Sequence, residues 1–336
     1  MLGRAKAIGL GLAVSLALLG VAEGVARLLE RSYPVQEFEP GYFARDRYGR
    51  NHPARPGPWR SWKQDPATGE RIYDVVYEID DALRRRTPVT PEGPREFFAL
   101  FFADSYTYGE GVSGDQTIPY YVGEMAPRYR PYNYGFHAGC PSDLLVQLEK
   151  TSLRAEVTEP EGILIYTWID DHVTRSLGTL RVTASWGSEK PYYAVSDDGT
   201  VEFRGTFEEG RPLRNAIYRA LGASRLLMGR GFDWPRIGDP EIESTARILA
   251  RARDLFEAQF PGSRFVVAIY PGQIWWSRAL VRELERLGVS VLDLSGLFDI
   301  RRPELSLSAS DSHPSPLANE LYARALVDGL HLDAPR

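Results

Sequence analysis

Four short apolar segments, separated by stretches with helical character, constrain the fold of this sequence most strongly. They lie at residues 97–102, 162–168, 265–270 and 289–294. The first segment contains no polar residue at all, which is typical of a strand buried on both faces of a parallel sheet. Strands of this kind that alternate with helices predict βαβ units, and therefore an α/β domain built on a parallel sheet.

Two regions depart from this alternation. Residues 32–94 are rich in Pro, Arg and Tyr, and we expect them to form an irregular lead-in with one short strand at Tyr73–Ile79. Residues 178–240 contain two alternating segments on either side of Ser196–Gly199, which predicts a β-hairpin inside an insertion, followed by helices. The α/β domain is then expected to span residues 95–330, with this insertion inside it.

Residues 1–31 have the composition of a membrane-targeting segment. Arg4 and Lys6 precede an uncharged run of 16 residues, 7–22, and Glu23 follows it. The run is slightly long for a signal-peptide core and short of the roughly 20 residues of a full span. An uncleaved anchor, a cleaved signal peptide and a buried helix are the three open alternatives. Either of the first two predicts an extracytoplasmic body, anchored to the cytoplasmic membrane or released into the periplasm.

Charge and cysteine content exclude several classes of function. The formal net charge of −5 argues against a nucleic-acid partner. The single cysteine, Cys140, cannot form an internal disulfide or a cysteine-rich metal site. We therefore expect Cys140 to be a small buried residue rather than a nucleophile.

A serine and a histidine occupy positions suited to nucleophilic catalysis. Ser105 follows the first apolar strand, and the carboxyl edge of a parallel sheet is where α/β proteins bind ligands. Near the end of the chain, Asp311 and His313 are two residues apart and face the same way in an extended loop. A carboxylate in that position can orient one imidazole nitrogen and leave the other as a general base.

Taken together, these residues resemble the first and last sequence blocks of the SGNH (GDSL-type) hydrolase superfamily. The Gly-Asp-Ser of the first block is Ala103-Asp104-Ser105 here, followed by Tyr-Gly-Glu-Gly-Val at 108–112, similar to bacterial envelope members. Residues 133–139 resemble the second block, whose first glycine supplies an oxyanion-hole N–H. The resemblance covers residues 97–330 and implies a flavodoxin-like three-layer α/β/α sandwich.

The resemblance also implies the roles of the site residues. Ser105 would be the nucleophile, His313 the general acid and base, and Asp311 the residue that orients His313. The N–H groups of Ser105 and Gly135 would form the oxyanion hole, and no metal or organic cofactor is needed.

The third block departs from the family pattern. Asp170 occupies the position of the family asparagine that donates to the oxyanion, and an ionised carboxylate can only accept. Three alternatives follow: Asp170 is protonated by burial, His172 turns in as the replacement donor, or the hole keeps only its two backbone donors. We favour His172. Adjacent residues diverge at a strand end, so we do not expect Asp170, Asp171 and His172 to bind a metal.

The remaining side chains near the predicted site allow two interpretations each. Arg175 can bind an anionic substrate group or lie on the solvated surface. Four aromatic residues can stack on sugar rings or pack in the core: Trp168, Trp186, Tyr192 and Tyr193.

The sequence thus predicts a serine-dependent esterase or O-acyltransferase that acts on acyl esters, through an acyl-enzyme on Ser105. The expected partners are an acylated small molecule or the polysaccharide of the cell envelope, and the membrane through the N-terminal helix. The alternative is a non-catalytic glycan-binding or scaffold protein on a degenerate SGNH fold, motivated by the changes at Ala103 and Asp170.

Overall fold

The computed structural model describes residues 2–29, 35–65, 67–90, 93–229, 231–273 and 275–334. Within them the strands are β1 (Val35–Phe38), β2 (Phe43–Arg45), β3 (Asn51–Pro53), β4 (Gly57–Gln64), β5 (Arg71–Ile79), β6 (Phe97–Phe102), β7 (Tyr129–Asn133), β8 (Gly162–Trp168), β9 (Pro191–Val195), β10 (Val201–Thr206), β11 (Arg264–Ile269), β12 (Ser290–Asp293), β13 (Ser306–Ser308) and β14 (Asp311–Pro314). The α-helices are α1 (Leu2–Leu28), α2 (Ser105–Tyr108), α3 (Ile118–Met125), α4 (Pro141–Lys150), α5 (Asp171–Leu177), α6 (Leu180–Val182), α7 (Phe207–Gly210), α8 (Pro212–Gly222), α9 (Arg225–Gly229), α10 (Asp239–Gln259), α11 (Ser277–Arg286) and α12 (Pro316–Leu330).

The predicted parallel sheet forms the centre of the fold. Its five strands lie in the order β12-β11-β8-β6-β7, and every neighbouring pair is parallel. All six residues of β6 and all seven of β8 are buried. The four apolar segments of the sequence correspond to β6, β8, β11 and β12, so the α/β prediction is confirmed.

Helices cover both faces of this sheet and complete the three-layer sandwich. Phe98, Leu100 and Phe102 point to the face packed by α4, α10 and α11, whereas Phe97 and Phe101 point to the face packed by α3 and α12. This division follows from the two-residue period of a strand. Ser315 caps α12 through its hydroxyl, and Cys140 is the N-cap residue of α4.

The lead-in is more regular than expected. The single predicted strand, β5, pairs with the eight-residue strand β4, and β4 pairs with β1, to give a three-stranded antiparallel sheet. Arg85 then bridges β5 to β7 through Ile79 and Asn133. The aromatic residues that made this region look irregular instead form its core, because Tyr42, Trp59 and Tyr77 are buried together.

The insertion contains the predicted hairpin. β9 and β10 are antiparallel, with Val201 opposite Val195 across the turn. Of the two helical stretches predicted after it, the first, at about 213–228, is divided into α8 and α9, and the second, at about 241–260, is α10.

The N-terminal helix α1 stands apart from the core. Ile8–Leu28 is long enough and apolar enough to span a membrane, with a mean hydropathy of 2.0. Its side chains are exposed along the helix, Ile8 by 64% and Leu10 by 69%. This exposure contradicts the buried-helix alternative, because a core helix hides its apolar side chains.

Candidate active site

Ser105 lies at the carboxyl edge of the central sheet, on the first turn after β6. It begins the short helix α2, and Asp104 caps this helix by accepting the N–H of Tyr106 at 3.1 Å. The first N–H groups of a helix have no partner within the helix, so the Ser105 N–H is available to a bound anion. Ala103, two residues before the serine, has a φ of 157°.

The structure brings Ser105, His313 and Asp311 together in one hydrogen-bonded chain. Oγ of Ser105 lies 2.9 Å from Nε2 of His313, and Oδ1 of Asp311 lies 2.6 Å from Nδ1 of the same ring. A carboxylate can only accept, so the ring hydrogen is on Nδ1 and the free lone pair of Nε2 faces the serine hydroxyl. This is the arrangement that a general base needs in order to activate a serine.

The charges around His313 favour its protonated form. Burial by itself would lower the pKa of His313, but the carboxylates of Glu110 and Asp311 outweigh this effect and raise the pKa above its ordinary value. Burial likewise opposes ionisation of Asp311, and its bonds to His313 and Lys63 hold the pKa of that carboxyl well below its usual range. Asp311 therefore stays ionised while His313 gains and loses its proton.

A second carboxylate faces the same imidazole, and sequence reasoning assigned it no role. Oε1 of the buried Glu110 lies 3.5 Å from Nε2 of His313, and its Oε2 lies 2.8 Å from Nδ1 of His137. Both histidines lower the pKa of Glu110 against the opposing effect of burial. The signal was present in the Tyr-Gly-Glu-Gly run, where a carboxylate follows the nucleophile by five residues.

Lys63 is the other residue that the sequence did not reveal. It comes from β4 of the lead-in, and its Nζ lies 2.9 Å from Oδ2 of Asp311. Its side chain is 12% exposed and that of Asp311 only 2%. No spacing in the sequence relates Lys63 to Asp311, because the two residues are 248 positions apart.

Arg175, the predicted substrate ligand, contacts Asp104, the residue that caps the helix beginning at Ser105. Its Nη1 donates to Oδ2 of Asp104 at 2.7 Å and to the carbonyl oxygen of Gly139 at 3.2 Å. The guanidinium is thus engaged by the protein, on a side chain only 13% exposed. This burial contradicts the interpretation of Arg175 as a solvated surface residue, whereas its binding of an anionic substrate group stays a prediction.

His172 also lies behind Asp104 and not in an oxyanion hole. Nδ1 of the fully buried ring accepts the N–H of Ile169 at 3.4 Å and lies 3.1 Å from the hydroxyl of Tyr166. The ring hydrogen is therefore on Nε2, which lies 3.5 Å from Oδ2 of Asp104. Burial lowers the pKa of His172 and keeps it neutral. We expected His172 to be the replacement donor; its N–H is directed at Asp104 because the first turn of α5 turns the ring inward.

Gly135 is close to the nucleophile helix, but its N–H has another partner. It donates to Oδ1 of Asn133 at 3.0 Å. A Cβ at this position would lie 2.5 Å from the backbone nitrogen of Tyr108. The glycine is therefore required for the close approach of this loop to α2, and the role of its N–H as an oxyanion donor stays a prediction.

Asp170 is buried beside the loop that follows β11. Its Oδ2 accepts the N–H of Trp275 at 2.8 Å, and within the described residues its Oδ1 has no hydrogen-bond partner. Burial raises the pKa of Asp170. This direction agrees with the first of the three alternatives, a carboxyl whose protonation is favoured by its surroundings.

Cys140 lies in the interior, as expected for a structural thiol. It is 2% exposed, and burial together with Asp143 raises its pKa to about 12.

Of the four aromatic residues, Trp168 and Tyr193 are buried in the core. Tyr192 packs on Phe207, and Trp186 is 43% exposed. The described residues include no group of three or more His, Cys, Asp or Glu side chains placed to hold a metal ion.

Comparison with known proteins gives distant structural neighbours. The chain resembles a member of the lipolytic protein G-D-S-L family from Veillonella parvula, with 13% identity, coverage of 69% of this chain and 97% of that one, and a TM-score of 0.40. It also resembles the acetyl xylan esterase Est2A of the rumen bacterium Butyrivibrio proteoclasticus, with 11% identity, coverage of 71% and 64%, and a TM-score of 0.41. A carbohydrate esterase family 2 enzyme with a carbohydrate binding domain, from Corynascus thermopiles, matches with 8% identity, coverage of 73% and 68%, and a TM-score of 0.39. The sequence matches no protein-family model and no curated protein.

Proposed function

We propose that this protein is a serine esterase that works through an acyl-enzyme on Ser105. The observation that carries the proposal is the continuous chain from Ser105 Oγ to His313 Nε2, and from His313 Nδ1 to Asp311, at 2.9 and 2.6 Å. The serine and the histidine are 208 residues apart in the sequence. Such an arrangement supports catalysis over the non-catalytic alternative, because a scaffold has no need to aim an oriented imidazole at a serine.

The geometry suits a two-step acyl transfer. In the first step Oγ of Ser105 attacks the ester carbonyl carbon while Nε2 of His313 takes the hydroxyl proton, and this proton then passes to the departing alkoxide oxygen. In the second step water attacks the acyl-enzyme, gives a proton to Nε2, and Ser105 leaves with its proton restored. Asp311 remains ionised throughout and stabilises the imidazolium.

The oxyanion in this mechanism would meet the N–H of Ser105 at the start of α2. Gly135 and His172 donate elsewhere, and Asp170 is an acceptor when ionised. Loss of one oxyanion donor costs a serine hydrolase about 10²–10³ in rate. The proposal therefore includes slow turnover of simple esters.

We propose that the substrate is an acyl ester of an envelope glycan. If a sugar hydroxyl takes the place of water as the acceptor, the protein is an O-acyltransferase. We also propose that α1 anchors the chain in the cytoplasmic membrane with the body outside it. The span at Ile8–Leu28 supports this anchorage.

The test uses the full chain in detergent. We expect p-nitrophenyl acetate hydrolysis and labelling by a fluorophosphonate probe in the unmodified protein, and neither in Ser105→Ala. Ser152→Ala, which changes an exposed serine, is the matched control and should behave as the unmodified protein. Labelling that persists in Ser105→Ala would exclude the assigned nucleophile. Addition of a glycan acceptor distinguishes transfer from hydrolysis by the appearance of an acylated sugar.

A further inference from the structure

An apolar patch on the insertion is exposed although the elements around it are packed. Its residues are Leu213, Ile217 and Leu221 on α8, with Phe232 and Trp234 after α9, and they are 76%, 48%, 38%, 41% and 51% exposed. The three α8 residues are four positions apart and therefore form one stripe along the helix. The opposite side of α8 packs on the body through Asn215 and Tyr218. Folding of the described chain leaves this patch uncovered, and such patches mark interaction sites.

The apolar patch is continuous with the N-terminal helix. One groove is lined by Leu213, Ile217, Leu221, Phe232 and Trp234 together with Leu180. A neighbouring groove is lined by Phe232 again, by Leu226 and Leu227 of α9, and by Ala22 of α1. Phe232 therefore belongs to both grooves and connects the apolar side chains beside α1 with those on α8.

Polar contacts fix α1 against this part of the body. The carboxylate of Glu23 accepts hydrogen bonds from the hydroxyl of Ser224 at 2.9 Å and from the N–H groups of Arg225 and Leu226 at 2.8 and 3.0 Å. Arg27 donates to the carbonyl oxygen of Ala223 at 2.9 Å. A carboxylate within an apolar helix is stable only beside such partners.

These contacts determine the depth of the body relative to the helix. Glu23 lies five residues before the end of the span at Leu28, which corresponds to about 7.5 Å along a helix that rises 1.5 Å per residue. If α1 spans the bilayer to Leu28, the segment that binds Glu23 lies at or within the headgroup layer. The apolar patch begins immediately beside that segment.

We propose that the apolar patch rests in the interfacial layer of the same bilayer that α1 spans. The inference rests on the proposed membrane anchorage and adds a second, peripheral contact that fixes the orientation of the body. Arg214 borders the groove of the patch and Arg236 borders the neighbouring groove, where their guanidinium groups suit the phosphates of anionic lipids. Apolar side chains flanked by arginines are the composition of helices that lie in a membrane interface.

The test places a fluorophore on the patch in the full chain. Leu213→Cys and Ile217→Cys carry a bimane label, and Cys140 stays in place because its thiol is buried. The control is Ala258→Cys, at an exposed position on α10 about 28 Å along that helix from its start near the patch. Each protein is reconstituted in vesicles of phosphatidylethanolamine and phosphatidylglycerol, with or without a spin label on the lipid acyl chains.

We expect the labels at 213 and 217 to lose most of their emission to the spin-labelled lipid and the label at 258 to keep it. Labels at 213 and 217 that respond as the control does, on protein that floats with the vesicles, would overturn the patch contact and leave the anchorage intact. Labels shielded from aqueous iodide but not quenched by lipid would mean that protein covers the patch, which also overturns the proposal. Protein that does not float with the vesicles would refute the anchorage itself, and the patch contact with it.

Discussion

Lys63 and Asp311 form an ion pair of 2.9 Å that joins the antiparallel lead-in sheet to the candidate catalytic loop. The lysine comes from β4, before the central sheet begins, and the aspartate from β14, near the end of the chain. The lead-in is therefore part of the site, because it supplies the cation that keeps the orienting carboxylate ionised.

Removal of that cation should cost both stability and activity. In Lys63→Met the buried Asp311 carboxylate loses its charged partner, and we expect the free energy of unfolding to fall by about 3 kcal/mol. Activity should fall with it, because the pKa of Asp311 rises. Lys150→Met removes a surface pair of 3.7 Å and should cost less than about 1 kcal/mol. Urea unfolding checks both variants; equal costs would contradict the proposed importance of the pair.

Glu110 should set the pH dependence of the reaction. The general base works only when His313 is neutral, so its raised pKa places the acid limb of the kcat/KM profile above about pH 6.5. Glu110→Gln removes a negative charge 3.5 Å from Nε2, which lowers that pKa and moves the acid limb to lower pH. The profile of Glu257→Gln, at an exposed position on α10, should not move. If the acid limb of the kcat/KM profile of Glu110→Gln stays at the same pH, this carboxylate does not raise the pKa of His313.

Asp170→Asn should increase the rate. The amide oxygen can keep the N–H of Trp275, and the amide nitrogen replaces a buried oxygen that has no partner within the described residues. If this side chain faces the oxyanion, kcat should rise by up to about 10²-fold, the value of one donor. Asp171→Asn removes the neighbouring charge, which is 69% exposed, and serves as the control. A kcat that stays unchanged in Asp170→Asn would place the oxyanion elsewhere.

Arg175 should act on stability and not on the choice of substrate. Arg175→Gln removes the partner of the buried Asp104 and should lower the free energy of unfolding by about 3–5 kcal/mol. Arg286→Gln, in which a half-exposed surface pair is lost, should cost about 1 kcal/mol or less. Arg175→Lys restores the charge and, if folded, should give the same ratio of KM values for neutral and anionic esters as the unmodified protein. A selective rise of KM for anionic esters would show that Arg175 binds the anionic group of the substrate.

The sequence predicted the elements of the fold because their signals are local. β6 is apolar at every position, Pro316 follows a capping serine, and the hairpin turn lies between two alternating segments. Most strands of the lead-in were not predicted, because they contain Arg, Pro and Trp, whose burial depends on partners elsewhere in the chain. Tyr42, for example, packs on Trp59 and Tyr77 of the neighbouring strands and on Phe136 after β7.

The sequence predicted the serine, the histidine and the aspartate, because their two motifs together resemble the first and last blocks of one hydrolase superfamily. What surrounds them was decided by tertiary structure. Lys63 and Glu110 approach Asp311 and His313 across large separations in sequence, whereas His172 and Arg175 lie against Asp104. The physical reason is that a side chain's role at a site depends on where its hydrogen bonds and charges are satisfied, and for buried groups only the packed fold determines their partners.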